Sequence, residues 1–314
     1  MIKFRYVVSF VLLFAAVSMS AQKVSVEKYK GGKVCATSFT FDDGHKDNYT
    51  MAAPELEKRG WKGTFWLNCS MIPGEVKQKK NRMTWDDVCD LHSRGHEISN
   101  HGWRHLKLTE VSLEDAVREI ERNDSAILAH TGVRPVTFCY SYNAKNDEVV
   151  ALASKGRVGT RMFQSAFGEQ SSDKQLRARM EKTVAGGGWL VWMTHGLTEG
   201  YDHFKDLSRY ASFLDYVKGR EDQIWVGTFR DVAAYIAERD AIEIEVTGKG
   251  RRMKVTSLLN LDPTLYNVPL TMSVETTSGV RVRQSGRSLD VFYRDGKAYF
   301  DFNPHGGKII ISFR

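Results

Sequence analysis

The sequence predicts an α/β fold: a barrel of parallel strands wrapped by helices, complete or irregular, followed by a small all-β domain that reads as a sandwich. Three observations carry this prediction. From residue 33 to about 238, short apolar runs alternate with amphipathic helical patterns, six or seven strand–helix units that suit a barrel better than a small open sheet. After about residue 240 the helical pattern stops, and strand-like segments separated by glycines and polar turns replace it. Titratable residues gather where the apolar runs end, which in a barrel is the face that carries function. The domain organisation that follows is 1–21 for a leader, 22–240 for the α/β domain and 241–314 for the β domain.

Each element has its own local signal. "KVCATSFTF" (33–41) reads as a buried strand, and "YTMAAPELEKRG" as a helix ending at Gly60. "WKGTFWLN" is the next strand. Thr84 with Asp87 three residues later resembles a capping box, so a helix starts there and stops at Gly95. "HEISN" is short and extended. Ser112 with Asp115 opens a long helix, and "RPVTFCY", "NDEVVALASKG" and "RVGTR" follow as strand, helix and strand. "GGGWLVWMTHG" is a strand run entered through flexible glycines. "FKDLSRYASFLDYVKG" is a helix, "QIWVG" a strand, and Thr228 with Asp231 starts the last helix. In the β domain, "RDG" at 294–296 is a hairpin signal. Phe292, Tyr293 and Tyr299 alternate around it and read as core.

The first residues, "MIKFRYVVSFVLLFAAVSMSAQ", place Lys3 and Arg5 before an apolar run from Tyr6 to Val17 and then small residues. This order marks a secretory leader cleaved near Ser20 to Gln22, and the run is short for a membrane span. No cysteine lies nearby, which argues against a lipoprotein. The predicted location is therefore exported (periplasmic, cell-surface or secreted), with no stable membrane anchor. Net charge of +7 falls to +5 when Lys3 and Arg5 are removed. The densest basic runs, "KQKK" (77–80) and "GKGRR" (248–252), are not interleaved with aromatics, so nucleic acid is not an expected partner. Cys35, Cys69, Cys89 and Cys139 are far apart with no C-x-x-C, and buried thiols are favoured over disulfides.

The candidate chemistry sits at the strand ends. Asp42 and Asp43 end the first strand, followed by Gly44 and His45. His101 and His105 are four apart. If that stretch is helical, both imidazoles share one face at a separation that one cation can bridge. Two histidines and one aspartate leave open positions on a divalent ion. Such an ion acidifies a water and polarises a carbonyl. A second carboxylate is then free to accept a proton, and His195 is the candidate to donate one. His45, beside the aspartates, either approaches the site or faces solvent, with solvent favoured, and His96 and Glu97 read as braces for a strand end. Trp103 is either an aromatic wall for a sugar or core. Met193 either lines a small apolar pocket or is core, and Asn68 is a further candidate for the site.

The combination "TFDDG" (40–44), "GHEISNHGWRH" (95–105) and "WLVWMTHG" (189–196) strongly resembles the NodB-type polysaccharide deacetylases, carbohydrate esterase family 4. The resemblance covers roughly residues 33–238. It implies a distorted (β/α) barrel of seven or eight strands. The implied activity is hydrolysis, through a metal-bound water, of N- or O-linked acetyl groups on a carbohydrate. The implied cofactor is one divalent ion, zinc first, with cobalt or nickel as alternatives. Asp42 would be the general base, His195 the general acid, and Asp43, His101 and His105 the metal ligands. The family's third motif usually reads R-P-P-Y, and its tyrosine main-chain N–H helps hold the oxyanion. Here the stretch is "FCYSYN" (138–143): Tyr142 falls at the tyrosine position, Cys139 where the arginine orients the base, and Asn143 at a glycine. The fourth motif, with the aspartate that tunes the acid histidine, is not recognisable, and the region reads "GRVGTRMFQS". Arg161 is the candidate to supply the guanidinium from another position. These departures imply a divergent subgroup. The alternatives are hydrolysis of a non-sugar amide or cyclic imide on the same site, or a carbohydrate-binding protein that keeps the fold without the chemistry. The β domain would either bind polysaccharide or cover part of the barrel.

Overall fold

The structure, a computed structural model, describes residues 23–314. The leader predicted for 1–21 lies outside the described residues. Among those described, no helix is long and apolar enough to cross a membrane.

The first strand, β1 (Val24–Val26), belongs to the sandwich, as its pairing below shows. The barrel strands are β2 (Cys35–Phe41), β3 (Thr64–Leu67), β4 (Glu97–Asn100), β5 (Thr137–Phe138), β6 (Gly159–Thr160), β7 (Ser165–Ala166), β8 (Trp189–Thr194) and β9 (Ile224–Val226). Between them run α1 (Ala53–Glu57), α2 (Trp85–Ser93), α3 (Leu113–Thr131), α4 (Asp147–Ala153), α5 (Asp173–Gly186) and α6 (Leu207–Lys218), and α7 (Phe229–Ala241) follows β9.

All barrel pairings are parallel, in the order β6-β5-β4-β3-β2-β8-β7. Strand β2 is the hub. One edge pairs with β8 along its length, while the other is shared: Cys35–Thr37 pair with β9, and Thr40–Phe41 pair with β3. That sharing makes the barrel irregular. Among the described residues no pairing joins β6 to β7, so the curled sheet is open there. This is the distorted barrel that the sequence predicts.

Alternation along β2 sorts the side chains. Phe39 and Phe41 point outward and pack under the helices with Phe65, Leu67 and Trp192. Ala36, Ser38 and Thr40 point into the barrel, whose interior holds Trp66, Cys139, Val191 and Phe229. Phe229, in the first turn of α7, packs edge-on against Trp66 and closes the N-terminal end of the barrel. Each large side chain buried this way contributes roughly 1.5–3 kcal/mol.

The helix starts read from sequence have the expected caps. Thr84 and Asp87 form a reciprocal capping box, and Ser112 and Thr228 each accept from the backbone N–H three residues on. Two elements carry no strong sequence signal. Strand β7 is two residues long, and α5 buries only Leu176 and Met180 on an otherwise polar helix.

Residues 243–313 add β10 (Glu243–Lys249), β11 (Arg252–Leu258), β12 (Leu270–Glu275), β13 (Val280–Gln284), β14 (Arg287–Leu289), β15 (Phe292–Arg294), β16 (Lys297–Phe302) and β17 (Ile309–Phe313). They form two antiparallel sheets, β1-β12-β16-β15 and β10-β11-β17-β13-β14, with Met253, Val255, Met272, Phe300 and Ile311 between them. Asp295 and Gly296 both adopt left-handed backbone, as the hairpin at "RDG" requires. Two expectations are revised. Residues 24–26, assigned by sequence to the barrel domain, pair with β12 and are an edge strand of the sandwich. Phe292 and Tyr293 are half-exposed, and only Tyr299 is core.

Candidate active site

A strand sends neighbouring side chains to opposite faces, so Asp42 and Asp43 could not both face one site from regular β structure. Strand β2 ends at Phe41, and Asp43 turns into the left-handed region with φ 69°. That turn brings its carboxylate back beside Asp42. Among the described residues, four of the six non-glycine positions with positive φ cluster here: Asp43, His105, Tyr142 and Asn143. Each such backbone costs about 1–3 kcal/mol and persists only when its surroundings impose it.

The stretch His101–His105 is not helical, contrary to the spacing argument. It is a turn after β4, with Gly102 at φ 80° and His105 at φ 60°. The two imidazoles meet nonetheless, and Asp43 Oδ1 lies 3.5 Å from His101 Nε2 and 3.4 Å from His105 Nε2. That oxygen is buried and has no hydrogen-bond partner. A buried network holds the turn: Asn68 Nδ2 donates to the carbonyls of His101 and Gly102, and Ser141 Oγ donates to the His101 carbonyl. Asn100 Oδ1 accepts from the Gly102 N–H and from Asn123.

His101 Nδ1 lies 2.9 Å from the Cys139 carbonyl oxygen. A carbonyl only accepts, so Nδ1 carries the proton and Nε2 presents its lone pair to Asp43. Burial, then the neighbouring His101, pull the His105 imidazole down toward its neutral form. Burial pushes the Asp43 carboxyl up, but the two histidines outweigh it and keep it low. An orphaned carboxylate oxygen facing two imidazole nitrogens is a donor set that fits one divalent cation. Asp42, His101 and Cys139 also lie close together. They fit less well, because Asp42 is engaged by Arg161, His101 Nδ1 is committed to the Cys139 carbonyl, and burial keeps the thiol protonated.

Arg161, just beyond β6, reaches across the barrel. Its Nη1 and Nη2 donate to Asp42 Oδ1 and Oδ2 at 2.8 and 2.5 Å, and Nη1 also contacts Thr40 Oγ1 at 3.1 Å. The guanidinium stacks on Trp66, 4.4 Å from its ring centre. Burial pushes the Asp42 carboxyl up; Arg161 first, then His101, more than offset this and hold it at about 2.

His195 follows β8 on the same strand face as Met193, which points away from the outward Trp192. Its Nδ1 donates to Asp202 Oδ1 at 3.0 Å, and the same oxygen accepts the His195 backbone N–H at 2.9 Å. Burial pulls this imidazole down, but the Asp202 hydrogen bond and then the Asp42 charge override it and carry it up to about 9.

Other residues fall as follows. Tyr142 is exposed, with its ring centre 4.5 Å from that of His105. Trp103 is core: it is buried and lies beneath the Arg122 guanidinium at 4.3 Å, so it offers a sugar no free face. His45 does not face solvent. It is buried, with Nδ1 3.2 Å from both Arg82 Nη1 and Glu199 Oε1. Arg82 Nη2 stands at ion-pair distance, 3.8 Å, from Asp43 Oδ2, the carboxylate oxygen other than the one facing the histidines. His96 accepts the Gly63 N–H and meets Glu57, and Glu97 takes hydrogen bonds from Thr64, Thr137 and Arg230, all as braces. The four cysteines are free. Sequence reasoning missed Asp202, Arg82 and Glu199, which lie in polar loops like any surface loop.

A curled parallel sheet with a carboxylate–histidine cluster and two further charged pairs at the C-terminal strand ends has the architecture of a (β/α)-barrel protein whose function sits at that face. Residues 30–159 match the polysaccharide deacetylase family model. That match bears out the resemblance to the NodB-type polysaccharide deacetylases, carbohydrate esterase family 4, over the first part of the barrel. The chain is similar to the peptidoglycan-N-acetylglucosamine deacetylase PgdA of Listeria monocytogenes, 31% identical over 134 residues, covering 41% of this chain and 26% of that protein. It is also similar to a gellan lyase of a Bacillus species, 26% identical over 314 residues, covering 85% of this chain and 12% of the lyase. The chain thus spans only a fraction of the length of either relative. A candidate polysaccharide deacetylase from Mycobacterium smegmatis has a similar fold, with TM-score 0.55 and 16% identity, covering 70% of this chain and 96% of that one.

Proposed function

We propose that this protein is a divalent-metal-dependent hydrolase that removes N- or O-linked acetyl groups from a polysaccharide. The observation that carries the reading is the convergence of three groups at one end of the barrel: Asp43 with His101 and His105, Asp42 with Arg161, and His195 with Asp202. The residues that would hold the cation are Asp43, His101 and His105, and zinc suits this donor set. A cation bound there would acidify a water and polarise the acetyl carbonyl.

Asp42 takes the proton from the attacking water. Held at about 2, it is ionised at every working pH, and the bidentate grip of Arg161 keeps both oxygens in place. The Tyr142 main-chain N–H helps hold the oxyanion that develops on the carbonyl. His195, carried up to about 9, is protonated at neutral pH and hands its proton to the departing amine or hydroxyl, while Asp202 keeps the ring oriented. The bond between the acetyl carbon and the sugar nitrogen or oxygen breaks, and acetate leaves. Met193, on the same strand face as His195, lines the space for the acetyl methyl.

A glycan is favoured over a small amide or cyclic imide by two exposed aromatics, Tyr142 and Tyr201, on loops leaving the C-terminal ends of β5 and β8. The predicted leader supports export. Acetate release from acetylated xylan, chitin oligomers and peptidoglycan tests the reading. Release is expected to stop on chelation, return with zinc, and be absent in Asp43→Ala. Full activity in Asp43→Ala overturns it.

A further inference from the structure

We propose that the outer face of the five-stranded sheet in the C-terminal sandwich binds an anionic polysaccharide, at a site remote from the barrel chemistry. This face carries a groove of 770 Å³ lined by Arg252, Arg281, Arg283, Lys308 and Ile310, among others. Register explains the clustering. Arg252 on β11 and Arg281 on β13 flank Ser312 of β17 in one row, and Lys254 and Arg283 flank Ile310 in the next row on the same face. The alternate residues, Met253, Val255, Val280, Val282 and Ile311, point inward and form the sandwich core. Burial of that inner face forces the basic residues outward together.

These cations are not structural. Arg252, Lys254, Arg281, Arg283 and Lys308 are exposed, and among the described residues none lies within ion-pair distance of a carboxylate. Elsewhere the chain pairs its arginines readily, as with Arg59, Arg94, Arg118 and Arg209. The acids that share the face, Glu243 and Glu245, lie at the opposite end of the β10–β11 pair and do not line the groove. Like charges gathered without compensation lower stability slightly and are retained where an anion neutralises them.

The spacing selects the ligand. Residues two apart on a strand are ~7 Å apart, and strands two apart are ~10 Å apart. Four cations on that grid exceed the reach of one small anion and match repeated charges along a polymer. The apolar residues lining the groove are Ile310 and Phe313, and Phe313 packs on the sandwich core, which leaves little aromatic face for a nucleic acid base and little apolar anchor for a membrane. The choice of a glycan, rather than another polyanion, rests on the catalytic reading of the barrel. A carboxylate-bearing polysaccharide fits, gripped by guanidinium–carboxylate pairs. Holding such a polymer on the sandwich would raise its local concentration at the barrel mouth of the same chain.

The test uses the whole protein against immobilised polygalacturonate, neutral xylan and single-stranded DNA. Polygalacturonate is expected to bind, weakening steeply with added salt, and neutral xylan to bind far less. The triple variant R252S/R281S/R283S is expected to lose about ten-fold or more in affinity for polygalacturonate. A control with equal charge loss elsewhere, K77S/K79S/K80S, is expected to bind as the parent does. Failure of polygalacturonate to bind, equal weakening in both triple variants, or equally tight binding of DNA overturns the proposal. Binding is read without turnover, so a protein that holds polygalacturonate but releases no acetate supports this inference while overturning the catalytic one.

Discussion

Asp42 and Asp43 are adjacent in sequence and have different partners in space. Asp42 lies against Arg161, and Asp43 faces two histidines with Arg82 behind it. The partner sets the pH response. Asp42 titrates near 2 in the folded chain against an ordinary 3.8, so its pairing stabilises the fold above about pH 4 and is lost as pH falls through about 2. In Arg161→Leu the charge stays buried without its partner, and a loss of about 3–5 kcal/mol at neutral pH is expected. The loss of stability on acidification should also shrink, because the strongest influence that lowers the carboxyl is gone and only the nearby histidines still oppose burial. Denaturant titrations at several pH values read both, and wild-type-like turnover in a folded Arg161 variant would remove this residue from the mechanism.

His195 shows the opposite linkage. Its imidazole is raised from 6.5 to about 9, so the Asp202 pairing stabilises fully below about pH 6.5 and is lost as pH rises through about 9. Asp202→Asn is expected to lower the imidazole pKa, move the alkaline limb of turnover to lower pH, and cut kcat on the order of 100-fold. Ring-proton NMR of His195 in metal-free protein separates this from a merely structural effect. Asp43, His101, His105 and His195 could be singled out because their motifs place them at strand ends. Asp202 could not, because "GLTEGYDHFKD" offers nothing that distinguishes a buried acid from a solvated one.

At the level of elements, the short β7 and the loop after β8 work as a pair. Gly168 follows β7, and a Cβ built there would stand 1.7 Å from the backbone oxygen of Asp202 and 2.7 Å from its carbonyl carbon. Backbone cannot yield as a flexible side chain can, so the loop carrying Asp202 must shift. Gly168→Ala is therefore expected to cost about 1–3 kcal/mol and to weaken the Asp202–His195 contact. A lower melting temperature together with a lowered His195 pKa would bear this out; an unchanged pKa would show that the loop does not depend on this contact. Helix starts were legible because capping is local chemistry, three residues from cap to partner. Strand β7 and helix α5 were less so, because two residues carry no periodicity and α5 buries too little.

Across the whole molecule, the barrel and the sandwich share a core. Val158, Ala234 and Tyr235 of the α/β part are buried among Met253, Leu270, Met272 and Phe302. Tyr235 donates to the Glu27 carbonyl, and its hydroxyl accepts the Thr271 N–H, linking α7 to both the N-terminal strand and the sandwich. Removing residues 241–314 would expose that apolar surface of the barrel. The truncated protein is expected to aggregate or melt well below the full chain, and calorimetry of the full chain should show one transition. A soluble truncated barrel of unchanged stability would show the two parts to be independent.

The sequence by itself determined the alternating barrel, the change to β structure near residue 240, the capped helix starts, and the motifs that identify the metal-ligand and acid–base candidates. All of these rest on neighbours within a few positions. Tertiary structure alone decided that β1 completes the sandwich, that the turn at Asp43 brings both carboxylates to one site, and that Asp202 rather than a local motif meets His195. It also decided that the basic residues of β11 and β13, with Lys308 beside β17, form one groove. The strand pairings among these join segments tens to hundreds of residues apart, while the Asp43 turn and the Asp202 contact, seven residues from His195, are local in sequence but imposed by the surrounding fold. What selects such pairings is the burial of apolar faces and the matching of buried charges, and neither is visible from the spacing of residues along the chain.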